Sequence, residues 1–218
     1  MLIEDAHIYP YIIDYLDEIP VLDVKKGKYF SRAFSRDTQI FYILKGTVKV
    51  ESVSDIGKKV LVDVISENEF AGQLSYLRQN NLYCNSYATT EVKLLCLKAD
   101  LMQKLLDNND FSNVFYFKIS TRLYQMYKKM LMNNLFNQCE IVSYYVLNQS
   151  VDNKFIYKSI YDICETLNIS RRNLYNILNK FEDKNIIKKI DNGVFLINDD
   201  HYLIDRADGV TRFLENKY

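Results

Sequence analysis

The residues best suited to a chemical role lie in one segment, Lys158–Ile197, whose charge differs from that of the rest of the chain. From Lys158 to Lys189 there are seven basic and four acidic residues, whereas the whole chain has 28 of each. Two basic residues, Arg171 and Arg172, fall at the start of an expected helix, where the helix dipole disfavours positive charge unless a phosphate or a guanine compensates it. This local positive patch indicates DNA binding.

The same segment has the apolar spacing of two short helices followed by a hairpin. Ile160, Ile163 and Leu167 mark the buried face of the first helix, and Leu174, Ile177, Leu178 and Phe181 mark that of the second. Asn168–Ser170 interrupts the pattern, and Ser170 is a suitable N-cap. Asp191-Asn192-Gly193 predicts a hairpin turn between two strands. The order is that of a winged helix-turn-helix, whose second helix enters the DNA major groove. On pattern alone, a small helical domain with a solvated polar face stays open.

Composition limits the other function classes. The chain has 218 residues, enough for two modest domains, with 48% hydrophobic and 26% charged residues, as in a soluble globular protein. Its formal net charge of +0 excludes a general polycationic nucleic-acid coat. No apolar run approaches the ~20 residues of a membrane span, and no signal peptide is recognisable. We expect a cytoplasmic protein without membrane contact.

The residues of metal sites and active sites are scattered. The four cysteines and two histidines form no CxxC motif and no Cys/His cluster. An enzyme on a jelly-roll scaffold would need a His/carboxylate metal cluster, and there is also no nucleophile–base pair or phosphate-binding loop. We therefore expect no metal, no cofactor and no catalytic residue. The protein is not predicted to be an enzyme.

The first half of the chain predicts a helix followed by β-structure. Helical spacing from Ile8 to Leu16 ends near Pro20, and a second helical stretch runs from Lys98 to Asn109. Short strands separated by turn residues lie between the two, which suggests a double-sheet jelly roll or barrel. The expected strands are Val21–Val24, Lys28–Phe30, Gln39–Leu44, Thr47–Val53, Val60–Ile65, Leu82–Ala88 and Val92–Leu97.

A long helix is predicted from Phe111 to Phe136. One row steps by 3, 4, 3 and 4 residues, as in the seam of a coiled coil, and predicts a parallel homodimer; its members are Tyr116, Ile119, Leu123, Met126 and Met130. A second row, Phe117, Tyr124 and Leu131, is expected to face the β-domain. A single wide core stripe within a monomer is the alternative. Asn137 marks an expected hinge, and the tail after Asp199 is expected to hold a short helix from Tyr202 to Ala207.

In this order of parts the chain resembles the Crp/Fnr superfamily of bacterial transcription regulators, and among its subgroups the YeiL-like proteins. The likeness rests on Phe41–Val50, Asn68–Leu74, Ala88–Val92, Asp162-Ile163 and Ser170–Leu178. It implies an α+β fold with a cyclic-nucleotide-binding-like β-roll. The implied domains are residues 1–110 for the N-terminal helix and sensor roll, 111–136 for the dimerisation helix, and 137–218 for the winged helix-turn-helix and its tail.

The resemblance also implies roles for the DNA-binding residues. Arg171 and Asn176 match positions that contact base edges, and Arg172 stands where relatives often carry Glu. Base contacts are expected from Arg171, Arg172, Asn173 and Asn176. Arg favours guanine and Asn favours adenine, so a half-site different from the well-known one is expected. Phosphate contacts, which set register and salt dependence, are expected from Lys158, Ser159, Ser170, Lys188 and Lys189.

On the effector side the chain departs from the cyclic-nucleotide-binding relatives. Their Gly-Glu-Leu turn is Gly72-Gln73-Leu74 here, and their phosphate-binding Arg-Ser pair falls on Leu82-Tyr83. Losing the arginine removes the charge that matches a buried phosphate; Arg78, nearby, is a possible substitute. Phe34 adds bulk where relatives have glycine. We therefore expect that cyclic AMP does not bind usefully and that the effector is another small molecule or none.

Together these features predict a homodimeric, sequence-specific transcription regulator that binds a palindromic DNA operator. Contact with RNA polymerase would be needed for activation, and no single residue marks it. The alternative is a ligand-binding or protein-interaction module in which the helix-turn-helix contacts a protein rather than DNA.

Overall fold

The computed structural model of the protein describes residues 2–32, 39–57, 59–73 and 84–215. The chain divides into two compact units, Met1–Leu123 and Tyr124–Tyr218. Within the described ranges no helix combines the length and apolarity that crossing a bilayer requires. Each unit has its own buried apolar core.

Among its described residues the first unit has eight strands in two four-stranded antiparallel sheets, with orders β1-β8-β3-β6 and β2-β7-β4-β5. This arrangement confirms the double-sheet roll; the two-residue strand β6 was not predicted. The strands are β1 (Val21–Val24), β2 (Tyr29–Ser31), β3 (Gln39–Lys45), β4 (Val48–Val53), β5 (Lys59–Ile65), β6 (Phe70–Ala71), β7 (Cys84–Ala88) and β8 (Val92–Lys98).

Helical segments flank the roll. The expected N-terminal helix is in fact three short pieces, the 3₁₀ helices Ile3–Asp5 and Ile13–Glu18 and the α-helix α1 (Tyr9–Ile12). Helix α2 (Ala99–Leu106) follows β8 and buries Leu101, Met102 and Leu105. These apolar faces pack on the outside of sheet β1-β8-β3-β6, and the roll interior holds a second apolar cluster.

Helix α3 (Asn109–Leu135) has a buried side and an exposed apolar side. Phe111 and Phe115 pack in the first unit's core. One and two turns further on, the Lys118 Nζ lies 3.3 Å from the Glu69 Oε1, and Arg122 pairs with the Asp63 carboxylate and the Phe70 carbonyl. Because two ion pairs continue the buried side, the apolar spacing alone did not reveal which side of the helix meets the sheet.

The expectation that Phe117, Tyr124 and Leu131 face the β-domain is wrong. Phe117 is 74% exposed, and the other two are also exposed. Of the predicted seam residues, Tyr116, Leu123, Met126 and Met130 are exposed, while Ile119 is half-buried against the first unit's core. The two rows therefore form one wide exposed stripe, which also contains Tyr127 and Leu135.

In the second unit, the Asn137 side chain accepts hydrogen bonds from the backbone N–H groups of Cys139 and Glu140 and so caps α4 (Gln138–Asn148). A hairpin of β9 (Ser150–Val151) and β10 (Lys154–Ile156), which was not predicted, then joins the wing in a four-stranded sheet of order β11-β12-β10-β9. The remaining elements are α5 (Ile160–Leu167), α6 (Arg171–Asp183), β11 (Ile187–Asp191), β12 (Val194–Ile197) and α7 (Asp200–Glu215).

Helix α7 is longer than the short helix expected in the tail. It spans 16 residues and buries Leu203, Ala207 and Val210 in the core of the second unit. The Lys128 Nζ donates a 2.6 Å hydrogen bond to the Leu214 carbonyl oxygen at its end. The tail is thus part of the folded unit, because its apolar residues recur every three to four positions.

Candidate nucleic-acid interface

Helices α5 and α6 form the expected helix-turn-helix, and both are capped by serine. The Ser159 hydroxyl accepts a hydrogen bond from the Asp162 N–H at 3.3 Å, and the Ser170 hydroxyl accepts one from the Asn173 N–H at 3.2 Å. Between them, Asn168 closes α5 in the left-handed conformation (φ 52°, ψ 45°). The predicted turn and the predicted N-cap at Ser170 are confirmed.

The apolar face of α6 fixes which residues are left outside. Leu174, Leu178 and Phe181 are buried in the second unit's core. Because successive residues turn by about 100° around a helix, Arg172 and Asn176 lie opposite this face and Asn173 lies at its edge. Arg171 is in the first turn, in line with Leu174 and Leu178, and all four polar side chains are exposed. These are the four residues from which base contacts were predicted.

Arg171 is held in place by a tyrosine of α5. Its Nη1 donates a 2.6 Å hydrogen bond to the Tyr161 hydroxyl, and its guanidinium lies 4.7 Å from the centre of the Tyr161 ring. Tyr161 is itself 60% exposed. Tyr161 was not among the residues predicted from the sequence to lie in the DNA-binding site. Its position just outside the apolar stripe of Ile160, Ile163 and Leu167 could have indicated an exposed aromatic side chain.

Asn173 also has an intramolecular partner. Its side-chain nitrogen donates a 3.1 Å hydrogen bond to the Gln138 side-chain oxygen, at the first residue of α4. The exposed Arg172 and Asn176, by contrast, have no side-chain hydrogen bond among the residues that the structure describes. Arg171, Arg172 and Asn176 are thus presented on the outside of α6, while Asn173 connects α6 to the start of α4.

The expected phosphate-binding residues lie at the helix starts and on the wing. Ser159 and Ser170 use their hydroxyl oxygens as acceptors in the caps, and each hydroxyl can still donate to a phosphate. Lys158 is exposed beside the first cap. Lys188 and Lys189 are exposed on β11, where the Lys189 N–H donates to a Glu182 carboxylate oxygen at 3.1 Å.

The wing turn is fixed by a glycine. Gly193 has φ +76°, and a Cβ atom there would lie 2.5 Å from the Tyr157 carbonyl oxygen. The Tyr157 N–H in turn donates to the Gly193 carbonyl at 2.9 Å. Only glycine suits this left-handed, crowded position, so the wing is held against the strand that precedes α5.

Cys164, on α5, has a shifted pKa, and Arg171 of this surface contributes to it. Burial raises the pKa of the Cys164 thiol, and the positive charge of Arg171 opposes that shift. A thiol with a raised pKa is protonated and unreactive at neutral pH. The described residues contain no group of three or more Cys, His, Asp or Glu side chains that could hold a metal ion.

Of the expected effector residues, Gly72 and Gln73 lie within the described residues. Leu74, Arg78, Leu82, Tyr83 and also Phe34 lie outside the described residues. Gly72 follows β6 with φ +88°, and a Cβ atom there would lie 2.6 Å from the Gln39 carbonyl oxygen; Gln73 is half-buried beside it. The described interior of the roll is lined by apolar side chains such as Phe41, Val50 and Cys96.

Comparison with protein families divides the chain into two matches. The cyclic nucleotide-binding domain family matches residues 21–109, the roll and α2. The Firmicute plasmid replication protein (RepL) family matches residues 106–213, which hold α3 and the second unit. The curated relatives are global nitrogen regulators of Synechococcus elongatus and a Nostoc species, each 29% identical over 90 residues. Those matches cover 40% of this chain, and this chain spans 40% of the length of each relative.

Solved structures match over nearly the whole chain. A Crp/Fnr-family transcriptional regulator from Eubacterium rectale has a TM-score of 0.69 at 16% identity, covering 91% of this chain and 93% of that one. The chain has the Crp/Fnr fold. The c-di-GMP-responsive global regulator CLP of Xanthomonas campestris gives 0.68 at 14% identity, covering 87% and 99%, and a Crp/Fnr regulator from Thermus thermophilus gives 0.63 at 14%, covering 87% and 98%. The resemblance seen in the sequence is confirmed at the level of the Crp/Fnr fold, with a cyclic nucleotide-binding domain as the roll.

Proposed function

We propose that this protein is a sequence-specific DNA-binding transcription regulator that acts as a homodimer on a palindromic operator. The observation that carries the proposal is the surface at the start of α6, where Ser170 caps the helix and Arg171, Arg172 and Asn176 are exposed. An exposed, polar helix start beside a basic wing suits the major groove. The regulators named among the matched relatives and structures support the same class of function.

Base readout is assigned to Arg171, Arg172 and Asn176. Arginine can donate two hydrogen bonds to guanine O6 and N7, and asparagine can pair with adenine. Asn173 has a smaller part, because its side-chain nitrogen is already bonded to Gln138. Lys158, Ser159, Ser170, Lys188 and Lys189 supply phosphate contacts, which fix register without reading sequence.

The exposed stripe of α3 supports the dimer. Tyr116, Leu123 and Met130 recur every seven residues on it, and each is at least 49% exposed. A contiguous apolar stripe on a soluble chain is characteristic of a protein interface. To bind two half-sites of a palindrome, a dimer packed along this stripe would have to hold its two recognition helices about one DNA turn, ~34 Å, apart.

The test is selection of bound sequences from a random duplex pool by the purified full chain, without added ligand. The proposal predicts an enriched palindrome whose binding weakens steeply with salt, as phosphate contacts require. Arg171→Ala should lose roughly 1–3 kcal/mol of discrimination at one base pair in each half-site. Arg212→Ala is the matched control, because Arg212 is an exposed arginine of the same unit that pairs with Asp208.

Two results would count against parts of the proposal, the first against DNA binding and the second against base readout by Arg171. A folded dimer that enriches no sequence, with or without cell extract as a source of effector, would favour the protein-interaction module. Equal loss of affinity for every sequence in Arg171→Ala would make Arg171 a phosphate contact only.

The RepL match favours a second candidate function, a part in plasmid replication. Both candidates use the same helix-turn-helix to bind DNA, so the selection experiment does not separate them. A plasmid that carries the selected site but no replication origin would be maintained only if the chain starts replication. A reporter gene placed downstream of the same site would change expression only if the chain regulates transcription.

A further inference from the structure

We infer that Tyr161 is a positioning residue for base readout by Arg171. The inference rests on the proposed function, since it concerns how one of the base-reading side chains is held. Two contacts join the pair, the 2.6 Å hydrogen bond from the Arg171 Nη1 to the Tyr161 hydroxyl and the stacking at 4.7 Å between guanidinium and ring centre. Neither helix alone contains both residues; the turn between α5 and α6 brings them together.

The contacts leave the reading edge of the guanidinium available. Arginine has five N–H donors in a rigid plane, and bidentate recognition of guanine needs two of them. Tyr161 accepts from Nη1 only, so the Nε and Nη2 donors remain for guanine O6 and N7. Stacking on the ring restrains the plane of the guanidinium without occupying its donors.

The backbone under both residues is well fixed. Tyr161 follows Ile160 and precedes Ile163, which is 2% exposed in the second unit's core. Arg171 directly follows the capping Ser170. Because the backbone of the two helices is fixed by caps and core, the remaining freedom of Arg171 is its side-chain rotation, and Tyr161 restricts it before DNA arrives.

The neighbouring arginine provides the contrast. Arg172 has no aromatic or hydrogen-bonding partner of this kind among the described residues. A flexible arginine must be ordered on binding, and ordering one such side chain typically weakens binding by about two- to tenfold. Tyr161 therefore favours Arg171 over Arg172 as the side chain that sets the preferred base.

The first test needs no DNA. In the free full-length protein, the side-chain protons of Arg171 should show a ring-current shift by NMR, and Tyr161→Leu should abolish it. Tyr161 is largely exposed, so this change leaves the core intact. An Arg171 spectrum unchanged by Tyr161→Leu would overturn the inference, whatever the protein does with DNA.

The second test is a double-mutant cycle on the selected operator and on operators changed at the base pair that Arg171→Ala identifies. We expect Tyr161→Leu to lower discrimination at that base pair by about three- to tenfold, with no effect in the Arg171→Ala background. Tyr161→Phe, which keeps the ring but loses the hydroxyl, should retain part of the discrimination at that base pair. Tyr202→Phe is the control, because Tyr202 lies under Arg206 in a second tyrosine–arginine pair of the same unit.

The outcomes distinguish a failure of the inference about Tyr161 from a failure of the proposed function. If the wild-type chain selects no DNA, the proposed function fails. If it selects DNA but Tyr161→Leu keeps the full base preference, or weakens all sequences equally, the inference fails and the function stands. Tighter specific binding by Tyr161→Leu would show that Tyr161 withholds Arg171 from DNA, which also overturns the inference.

Discussion

At the scale of single residues, the carboxylate of Glu51 on β4 accepts three hydrogen bonds in the first unit. Its Oε1 accepts hydrogen bonds from the Tyr29 hydroxyl at 2.9 Å, the Lys59 ammonium at 2.8 Å and the Asn85 amide at 3.2 Å. These residues belong to four strands of one sheet, β2, β4, β5 and β7. Glu51 is only 8% exposed, so its charge depends on these donors.

This cluster predicts a dependence of stability on pH. Burial alone would raise the pKa of Glu51, but the hydrogen bonds from Lys59, Tyr29 and Asn85 outweigh burial and hold the pKa below its ordinary value of 4.5. A group whose pKa is lowered by folding stabilises the fold above its unfolded pKa and loses that contribution as pH falls. The roll should therefore lose stability as pH falls below about 4.5.

The variant Glu51→Gln should be less stable at neutral pH by about 1–3 kcal/mol, because three donors lose a charged acceptor. Its stability should also change less between neutral and acidic pH than that of the wild type. Native-state hydrogen exchange of the β4 and β7 amides measures the stability of the roll directly. Glu91→Gln, an exposed carboxylate in the same unit, is the control; an equal effect of both variants would contradict the assignment.

Residue-level features divide into those a local pattern reveals and those it hides. Ser170 could be predicted as a cap because it is followed directly by the helix whose N–H groups it accepts from. The partners of Arg171 and Asn173 could not, because Tyr161 and Gln138 are 10 and 35 residues away. A side chain such as Tyr161 reads only as a surface aromatic until the fold brings the arginine onto its ring.

At the scale of elements, α3 carries the exposed apolar surface that the proposed dimer would use. One side is committed to the roll by Phe111, Phe115 and Arg122. The exposed side carries nine large apolar side chains that are each at least 38% exposed in the described chain: Tyr116, Phe117, Leu123, Tyr124, Met126, Tyr127, Met130, Leu131 and Leu135. Such a surface is unfavourable in water unless another surface covers it.

A charge placed in the middle of this stripe should separate the dimer. Leu123→Glu would bury an unpaired carboxylate at the interface, and we expect the dissociation constant of the dimer to rise at least about tenfold. Sedimentation velocity over a range of protein concentrations measures this change. Since Leu123 is 49% exposed, the fold of the single chain should persist, as circular dichroism would show.

The matched control for this change is Gln125→Glu, which puts the same charge on an exposed position of the same helix. It should leave the dimer unchanged. If both variants dissociate equally, or if the wild type is a monomer at all concentrations, the stripe on α3 is not the dimer interface.

Elements were predictable where apolar periodicity or turn residues mark them. The β1 range agreed at both ends, and the start of α6 agreed because Ser170 marks it. The hairpin β9–β10 was missed, because its strands have two and three residues and its turn residues, Asp152 and Asn153, adopt positive φ without a glycine. The face of α3 was assigned wrongly because Lys118 and Arg122, two charged residues, contact the sheet.

At the scale of the whole molecule, the two units keep separate cores and are linked in sequence by α3, which starts in one and ends in the other. The first unit contains the residues that match the cyclic nucleotide-binding domain family, and the second contains a winged helix-turn-helix. A sensor that regulates DNA binding must bind its effector with different affinity in two arrangements of the protein. The identity of the effector is therefore the main determinant of how the molecule would be controlled.

The roll's own residues argue against cyclic AMP as that effector. Gly72 keeps the tight turn after β6, but Gln73, which follows it, is neutral, and the position matching the phosphate-binding arginine is Leu82. In the described interior of the roll the side chains are mostly apolar, with Ser86 a buried polar exception, and burial raises the pKa of Cys96 to about 11. A cyclic phosphate buried there without a positive partner would bind poorly, because an unpaired buried charge is strongly unfavourable.

We therefore expect calorimetric titration of the full-length protein with cyclic AMP to show no stoichiometric site of micromolar affinity. Cyclic AMP should likewise leave the affinity for the selected operator unchanged, because a ligand that does not bind one arrangement of the protein more tightly than the other does not shift the equilibrium between them. The second measurement does not depend on the enthalpy of binding, so it would also detect a ligand that binds without releasing or absorbing heat. A saturable micromolar site, or a tenfold change in operator affinity, would contradict this expectation. It would mean that the phosphate is held by a residue other than the one at position 82, and Arg78 would be the first residue to replace in a further test.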